Sequence, residues 1–171
     1  MIAAVTIAYA ALFIACAVTD IMQLRIPNVL VAALLALFVV VCILSPPESP
    51  ESIVWNHIAP GLVVFILAAI PFYFDKLGGG DVKLLGATAM WVGVGSLGVF
   101  FISLALYGAL AILVFSVFRH RIVALLAWAS ERLGRAIPAP ASLLTGNSIP
   151  YGVVIAAAAL TVGPGLFGVA R

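Results

Sequence analysis

The chain has 171 residues, of which 65% are hydrophobic and only 8% are charged. A soluble domain is about half apolar and about a quarter charged, so this chain has too few charges to solvate a water-exposed surface. The net charge of +2 comes from basic residues spread over short loops, without the dense basic patch of a nucleic-acid-binding protein. The sequence therefore predicts an all-α, polytopic membrane protein, with residues 1–171 forming a single domain in the lipid bilayer.

Apolar runs predict six membrane spans, because a helix needs roughly 20 apolar residues to cross the hydrocarbon core. The second span opens at Pro27, which suits the first turn of a helix because its missing N–H has no partner there. A polar, proline-rich loop over 45–51 and a glycine-rich segment over 75–83 connect spans. The predicted spans cover about residues 2–19, 27–44, 58–74, 82–95, 98–118 and 149–168.

The positions of Lys and Arg predict the orientation, because cytoplasmic loops carry an excess of both. The run 84–118 is too long for one comfortable span, and glycines over 93–98 mark a turn, so two spans are expected there. The segment 121–136 is expected to be an interfacial helix with arginines at its ends. Both chain termini then face away from the cytoplasm. Seven basic residues fall on the cytoplasmic side: Arg25, Lys76, Lys83, Arg119, Arg121, Arg132 and Arg135.

Two aspartates at the membrane edge are the main candidates for chemistry, since an ionisable residue in or near a span is costly. Asp20 ends the first span and Asp81 opens the fourth, both on the predicted cytoplasmic side. Two close carboxylates share a proton, so one activates a water while the other donates a proton. Structural interpretations stay open: Asp20 as a polar stop, Asp81 as a helix N-cap, and Asp75 as a membrane-edge charge.

Other residues favour no second kind of site. The two cysteines form no CxxC pair, the two histidines fall on opposite sides of the predicted membrane, and no serine stands in a G-x-S-x-G motif. The glycine run 78–80 allows a peptide to approach the backbone closely, although a flexible turn between two spans is the commoner explanation for such a run. No metal or cofactor is therefore expected.

Three short elements occur in order along the chain. Asp20 is followed by Arg25-Ile26-Pro27-Asn28, Gly78-x-Gly80-Asp81-x-Lys83 lies in the middle, and Ile149-Pro150-Tyr151-Gly152 opens the last span. This combination resembles the prepilin peptidases, which are type IV leader peptidases of the GxGD family of intramembrane aspartyl proteases. The resemblance implies that Asp20 and Asp81 are catalytic. It also implies supporting roles for eight residues: Gly78, Gly80, Lys83, Arg25, Pro27, Asn28, Pro150 and Tyr151.

The resemblance also implies a substrate and a location. The expected partner is a helical membrane precursor, a prepilin whose short basic leader is removed at the cytoplasmic face of the bacterial inner membrane. Larger prepilin peptidases carry paired CxxC motifs and also methylate the new N-terminus. This chain lacks those cysteines and resembles the short form found with tight-adherence (Flp-type) pilus systems, which implies peptidase activity without methylation. The oligomeric state is left open.

Two further functions are compatible with the same pattern. A small transporter would bind protons or cations at membrane aspartates, but these aspartates lie at the predicted edge, whereas transporter sites usually lie near the midplane. A non-catalytic scaffold of a pilus or secretion system would tolerate the loss of both carboxylates, which an enzyme would not.

Overall fold

The computed structural model describes residues 2–45, 49–134 and 149–164, and over these ranges the chain is helical without strands, as the composition predicts. A π-helical turn, Val54–Ile58, joins α3 to α4, and a 3-10 turn, Val94–Ser96, precedes α6. The helices are α1 (Ile2–Gln23), α2 (Asn28–Leu44), α3 (Pro50–Ile53), α4 (Ala59–Tyr73), α5 (Gly79–Val92), α6 (Leu97–Leu133) and α7 (Tyr151–Val162).

The chain is a membrane protein. Within the described residues, three helical stretches are long and apolar enough to cross a bilayer: Ile2–Gln23, Glu51–Tyr73 and Val94–Phe118. The apolar helices α2 and α7 are shorter, with 17 and 12 residues, and α5 has 14. The count of six spans therefore stays a prediction, because three of the six expected segments are helices shorter than a full span.

The segments predicted as the fifth span over 98–118 and as an interfacial helix over 121–136 lie on one continuous helix as far as Leu133. α6 continues from Leu97 to Leu133, and it ends at Gly134 in the left-handed conformation. The sequence around position 120 contains neither proline nor glycine, so no residue there interrupts the backbone hydrogen bonds. Arg135 and the last predicted residue, 136, lie outside the described residues. Helical backbone also extends N-terminal to the predicted span 58–74, because α3 and the π-helical turn precede α4 and begin at Pro50.

The centre of the bundle is α5, which packs against α4, α7 and α2. Its Trp91 is fully buried, and the indole N–H donates a hydrogen bond of 3.0 Å to the Leu34 carbonyl of α2. The buried Tyr9 hydroxyl of α1 donates to the Ala159 carbonyl of α7 at 3.1 Å, and its ring meets Trp91 edge-on. Hydrogen bonds between helices are thus made in the interior, where water does not compete. They fix the relative positions of α1, α2, α5 and α7.

Glycines allow α4 and α5 to approach closely. A Cβ on Gly86 would lie 2.9 Å from the Phe65 Cβ and 3.3 Å from the Gly61 carbonyl oxygen. A Cβ on Gly61 would in turn meet the Met90 side chain. Small residues at helix contacts are the usual means by which membrane helices pack, because lipid supplies little hydrophobic driving force. This contact determines where the first turn of α5 lies.

Candidate functional site

Asp20 and Asp81 line the same cavity, although 60 residues separate them in the sequence. Asp20 lies in the last turn of α1 and is 5% exposed, and Asp81 lies in the first turn of α5. The cavity has a volume of about 600 Å³. The fold thus brings the first two sequence elements together. Ten further residues line the cavity: Gln23, Leu24, Arg25, Ile26, Pro27, Asn28, Gly78, Gly79, Gly80 and Lys83.

The third sequence element reaches the site through its backbone. The Gly152 N–H, in the first turn of α7, donates a buried hydrogen bond of 2.7 Å to Asp20 Oδ2. Free N–H groups and the helix dipole make a helix N-terminus favourable for a carboxylate. Pro150 is buried and precedes α7, whereas the Tyr151 side chain lines a separate apolar cavity between α5, α6 and α7. The element therefore orients Asp20 through Gly152, and the Tyr151 side chain faces elsewhere.

Ile26 packs between the N-termini of α5 and α7, the two helix ends that lie next to the aspartates. A Cβ on Gly80 would lie 3.0 Å from the Ile26 Cβ, and one on Gly152 would lie 2.9 Å from the Ile26 Cδ1. A Cβ on Gly152 would also lie 2.8 Å from Asp20 Oδ2. A side chain at Gly152 would therefore displace Asp20 or Ile26, and one at Gly80 would require Ile26 to shift by a few tenths of an ångström. Ile26 and Gly152 were not among the predicted site residues, although each belongs to one of the three sequence elements. Their position next to predicted residues, Arg25 and Pro27 for Ile26 and Tyr151 for Gly152, was the feature that could have identified them.

The Asp81 carboxylate is held in a partly buried position. Burial, and secondly the negative charge of Asp20, raise the pKa of Asp81 to about 6, while a hydrogen bond from the Gly78 backbone opposes the rise. Asp81 Oδ1 is buried and has no hydrogen-bond partner among the described residues. Such an atom calls for an explanation, because most buried polar atoms are satisfied. Asp81 therefore carries an unsatisfied polar atom beside the cavity that it lines.

Gly78 contributes space. Its φ is −71°, and Gly79 and Gly80 belong to α5, so the run uses no left-handed backbone. A Cβ on Gly78 would lie 2.8 Å from Asp81 Oδ2. The physical reason for this glycine is therefore the missing side chain beside the carboxylate.

The two cations of the cavity come from different elements. The Lys83 ammonium donates a hydrogen bond of 2.9 Å to Asn28 Oδ1, which links α5 to the start of α2. Arg25 lies on the exposed loop before α2, next to Pro27. Asp75 is exposed, has a φ of +54°, and is not among the residues that line the cavity. The structure thus groups eight of the ten predicted residues at one cavity and leaves Pro150 and Tyr151 beside it.

This arrangement has the groups that acid–base chemistry requires. Two carboxylates that line one cavity, with the charge of one acting on the other, have the composition of a proton-sharing pair. Within the described ranges, no group of three or more His, Cys, Asp or Glu side chains is placed to hold a metal ion.

Comparison with known proteins agrees with this geometry. A family model described as the type IV leader peptidase family matches residues 7–117, which is more than half of the chain and includes both Asp20 and Asp81. No curated protein and no solved structure gives a significant match.

Proposed function

This chain belongs to the type IV leader peptidase family, and on that basis we propose that it is a membrane aspartyl endopeptidase that uses Asp20 and Asp81 to activate water. The observation that carries the proposal is the shared cavity of the two carboxylates. Family membership supports a peptidase that acts on prepilins, and the cavity supports the identity of the residues.

The surroundings of the two aspartates suggest a division of roles. The Gly152 N–H bond and the N-terminus of α7 stabilise a negative charge on Asp20. Asp81, with a pKa near 6, holds the shared proton more readily. Asp20 then accepts a proton from water as the general base, and Asp81 donates a hydrogen bond to the scissile carbonyl oxygen. Because the carboxylates interact, their titration belongs to the pair.

The chemical step needs only these groups and water. The water oxygen attacks the carbonyl carbon while its proton moves to Asp20 and the Asp81 proton moves to the carbonyl oxygen, which forms a gem-diol. The C–N bond then breaks as Asp20 returns a proton to the leaving amine and a diol proton returns to Asp81. The products are a free carboxyl group on the leader and a free amine on the mature pilin, with both aspartates restored.

The substrate is proposed to be a Flp-type prepilin, cut at the cytoplasmic face of the inner membrane. Arg25 and Lys83 line the same cavity as the aspartates, and the excess of Lys and Arg on this side supports a cytoplasmic location. In this topology α1, α2, the helix through α4, α5, α6 and α7 cross in turn, with both termini outside. The chain has two cysteines and no CxxC motif, so we propose that the new N-terminus is not methylated.

The decisive experiment co-expresses a Flp-type prepilin with wild type, Asp20→Asn or Asp81→Asn at matched membrane levels. Wild type is expected to cleave, and each amide variant is expected to lose at least about a thousandfold in rate, because the pair acts as a unit. Asp75→Asn is the control, since Asp75 is exposed and outside the cavity lining. The mass of the mature pilin, with this protein as the only processing enzyme, reports whether a methyl group is added.

Several outcomes would contradict the proposal. Cleavage by Asp20→Asn or Asp81→Asn would remove that residue from the catalytic pair. Asp81→Asn is expected to accumulate and to gain on the order of 1 kcal/mol of stability, because a partly buried charge is removed. Failure of this variant to accumulate would favour a structural role for Asp81. Methylated pilin would refute the peptidase-only form.

A further inference from the structure

An apolar groove of about 440 Å³ lies between α2, α4 and α5. Its walls include Ala32 and Leu35 of α2, Leu62 and Phe65 of α4, and Met90 of α5. Leu62 and Phe65 are 55% and 40% exposed, so the groove opens on the outer surface of the helix bundle. In a membrane protein this surface faces lipid.

The groove adjoins the cavity lined by Asp20 and Asp81. Asn28 and Lys83 line both spaces, and their hydrogen bond of 2.9 Å lies where the two meet. All other groove residues are apolar, whereas the catalytic cavity carries Asp20, Asp81 and Arg25. A molecule that occupies both spaces therefore needs a polar part in the aspartate cavity and an apolar part in the groove, with the boundary between them at the Lys83–Asn28 pair.

A second apolar cavity, of about 530 Å³, lies between α5, α6 and α7 and provides a comparison. It is lined by residues such as Ala105, Gly108 and Tyr151, and it shares no lining residue with the catalytic cavity. A chain that lies in this second cavity has no common boundary with the aspartates. The two spaces are similar in size and apolarity, so the lining residues that the α2/α4/α5 groove shares with the aspartate cavity distinguish it from the second space.

We propose that the α2/α4/α5 groove binds the apolar membrane helix of the substrate, which is expected to lie next to the scissile bond in the proposed substrate class, while the leader and the scissile bond occupy the catalytic cavity. This inference rests on the proposed function and adds the docking site of the substrate helix. The groove accepts a helix from lipid because its outer side is open. Lys83 and Asn28 mark the boundary between the polar leader side and the apolar helix.

The test compares two substrates: the full Flp-type prepilin and the same prepilin truncated before its apolar helix. Ala32→Trp fills the groove and is expected to lower kcat/KM for the full prepilin, relative to the truncated one, by at least about tenfold. Ala105→Trp makes the same change in the second apolar cavity and is expected to leave this ratio at the wild-type value. Membrane levels and thermal unfolding of each variant are matched first.

Photo-cross-linking keeps the test independent of turnover and of the folding of Ala32→Trp. A benzophenone amino acid at position 32 or at position 105 is placed in the Asp81→Asn protein with the full prepilin. A cross-link from position 32 to the apolar helix, without one from position 105, supports docking. If wild type cleaves the prepilin, but Ala32→Trp leaves the substrate ratio unchanged and position 32 gives no cross-link, the docking proposal is wrong and the peptidase proposal is unaffected. Absence of wild-type cleavage overturns the peptidase instead, and the cross-link then decides docking alone.

Discussion

Asp20 lies in the last turn of α1 and Asp81 in the first turn of α5, so one carboxylate is near a helix C-terminus and the other near a helix N-terminus. The C-terminus of α1 is unfavourable for the negative charge of Asp20, and the Gly152 N–H at the start of α7 offsets this. Asp81 lies in the favourable first turn of α5, yet burial and the charge of Asp20 raise its pKa to about 6. The difference between the two residues therefore comes from their neighbours.

The raised pKa predicts the pH dependence of cleavage. The pKa of Asp81 is about 6 in the folded protein and about 3.9 for an unperturbed aspartate, so the folded protein binds this proton more tightly between about pH 4 and 6. As the pH rises through about 6 the shared proton is lost, and kcat/KM is expected to fall by up to about tenfold per pH unit. Stability falls with rising pH over the interval from about 4 to 6.

The measurement is kcat/KM for prepilin cleavage between about pH 5 and 8 in one detergent. Circular dichroism at each pH controls for unfolding. A rate that stays constant to pH 8 would show that no proton with a pKa near 6 is required, which would contradict the assignment of the shared proton to Asp81.

Gly152→Ala tests the orientation of Asp20. The added Cβ would lie 2.8 Å from Asp20 Oδ2 and 2.9 Å from the Ile26 Cδ1, so the carboxylate must move. Misplacement of a catalytic group by about 1 Å costs on the order of a hundredfold in rate, and a loss of about 10–100-fold is expected. Gly98→Ala is the matched control, because nothing lies within 4 Å of its Cβ position. Equal activity of both variants would mean that this contact does not position Asp20.

At the scale of elements, the closeness of α4 and α5 determines the site, since Asp81 lies in the first turn of α5. Their contact depends on Gly61 and Gly86, which bring backbone against backbone. The short α5 is buried along most of its length, so few of its residues face lipid. α6 differs, because its predicted span is mostly exposed on the outer surface of the bundle.

Gly86→Ala is expected to destabilise this contact by about 1–3 kcal/mol, because the new Cβ would lie 2.9 Å from the Phe65 Cβ. Gly108→Ala on α6 is the control, since its Cβ would lie 3.8 Å from the Val154 Cγ1, an ordinary contact distance. Thermal unfolding in detergent, followed by circular dichroism, measures the difference. A Gly86→Ala protein as stable as Gly108→Ala would show that the two helices separate without cost.

At the scale of the whole molecule, the proposed topology predicts which loops an impermeant maleimide labels from outside the cell membrane. In a variant without native cysteines, Ser45→Cys is expected to react in intact spheroplasts. Lys76→Cys is expected to react only after the membrane is opened, because Lys76 shares the basic side with Arg25 and Lys83. Labelling of Lys76→Cys in intact spheroplasts would reverse the topology and put the aspartates on the outer side.

Much of this molecule can be predicted from the sequence. The scarcity of charge indicates a membrane protein, and the long apolar runs indicate helices, because roughly 20 consecutive apolar residues are what a helix needs to cross the bilayer. The Asp20 and Asp81 elements are short and local, so their residues are visible without a fold. The continuity of α6 was not predicted, because clustered arginines indicate where a span reaches the membrane surface but do not interrupt a helix.

Only the tertiary structure decided how these elements meet. The bond between Gly152 N–H and Asp20 joins residues 132 positions apart, and the Lys83–Asn28 bond joins residues 55 apart. Nothing in local propensity or spacing specifies such pairs, because they follow from how α1, α2, α5 and α7 pack. The same packing places Ile26 between two glycines and sets the apolar groove beside the cavity that Asp20 and Asp81 line. The sequence alone thus predicted that the chain lies in a lipid bilayer and which side chains are the candidates for chemistry. Helix packing determined how those side chains are arranged relative to one another.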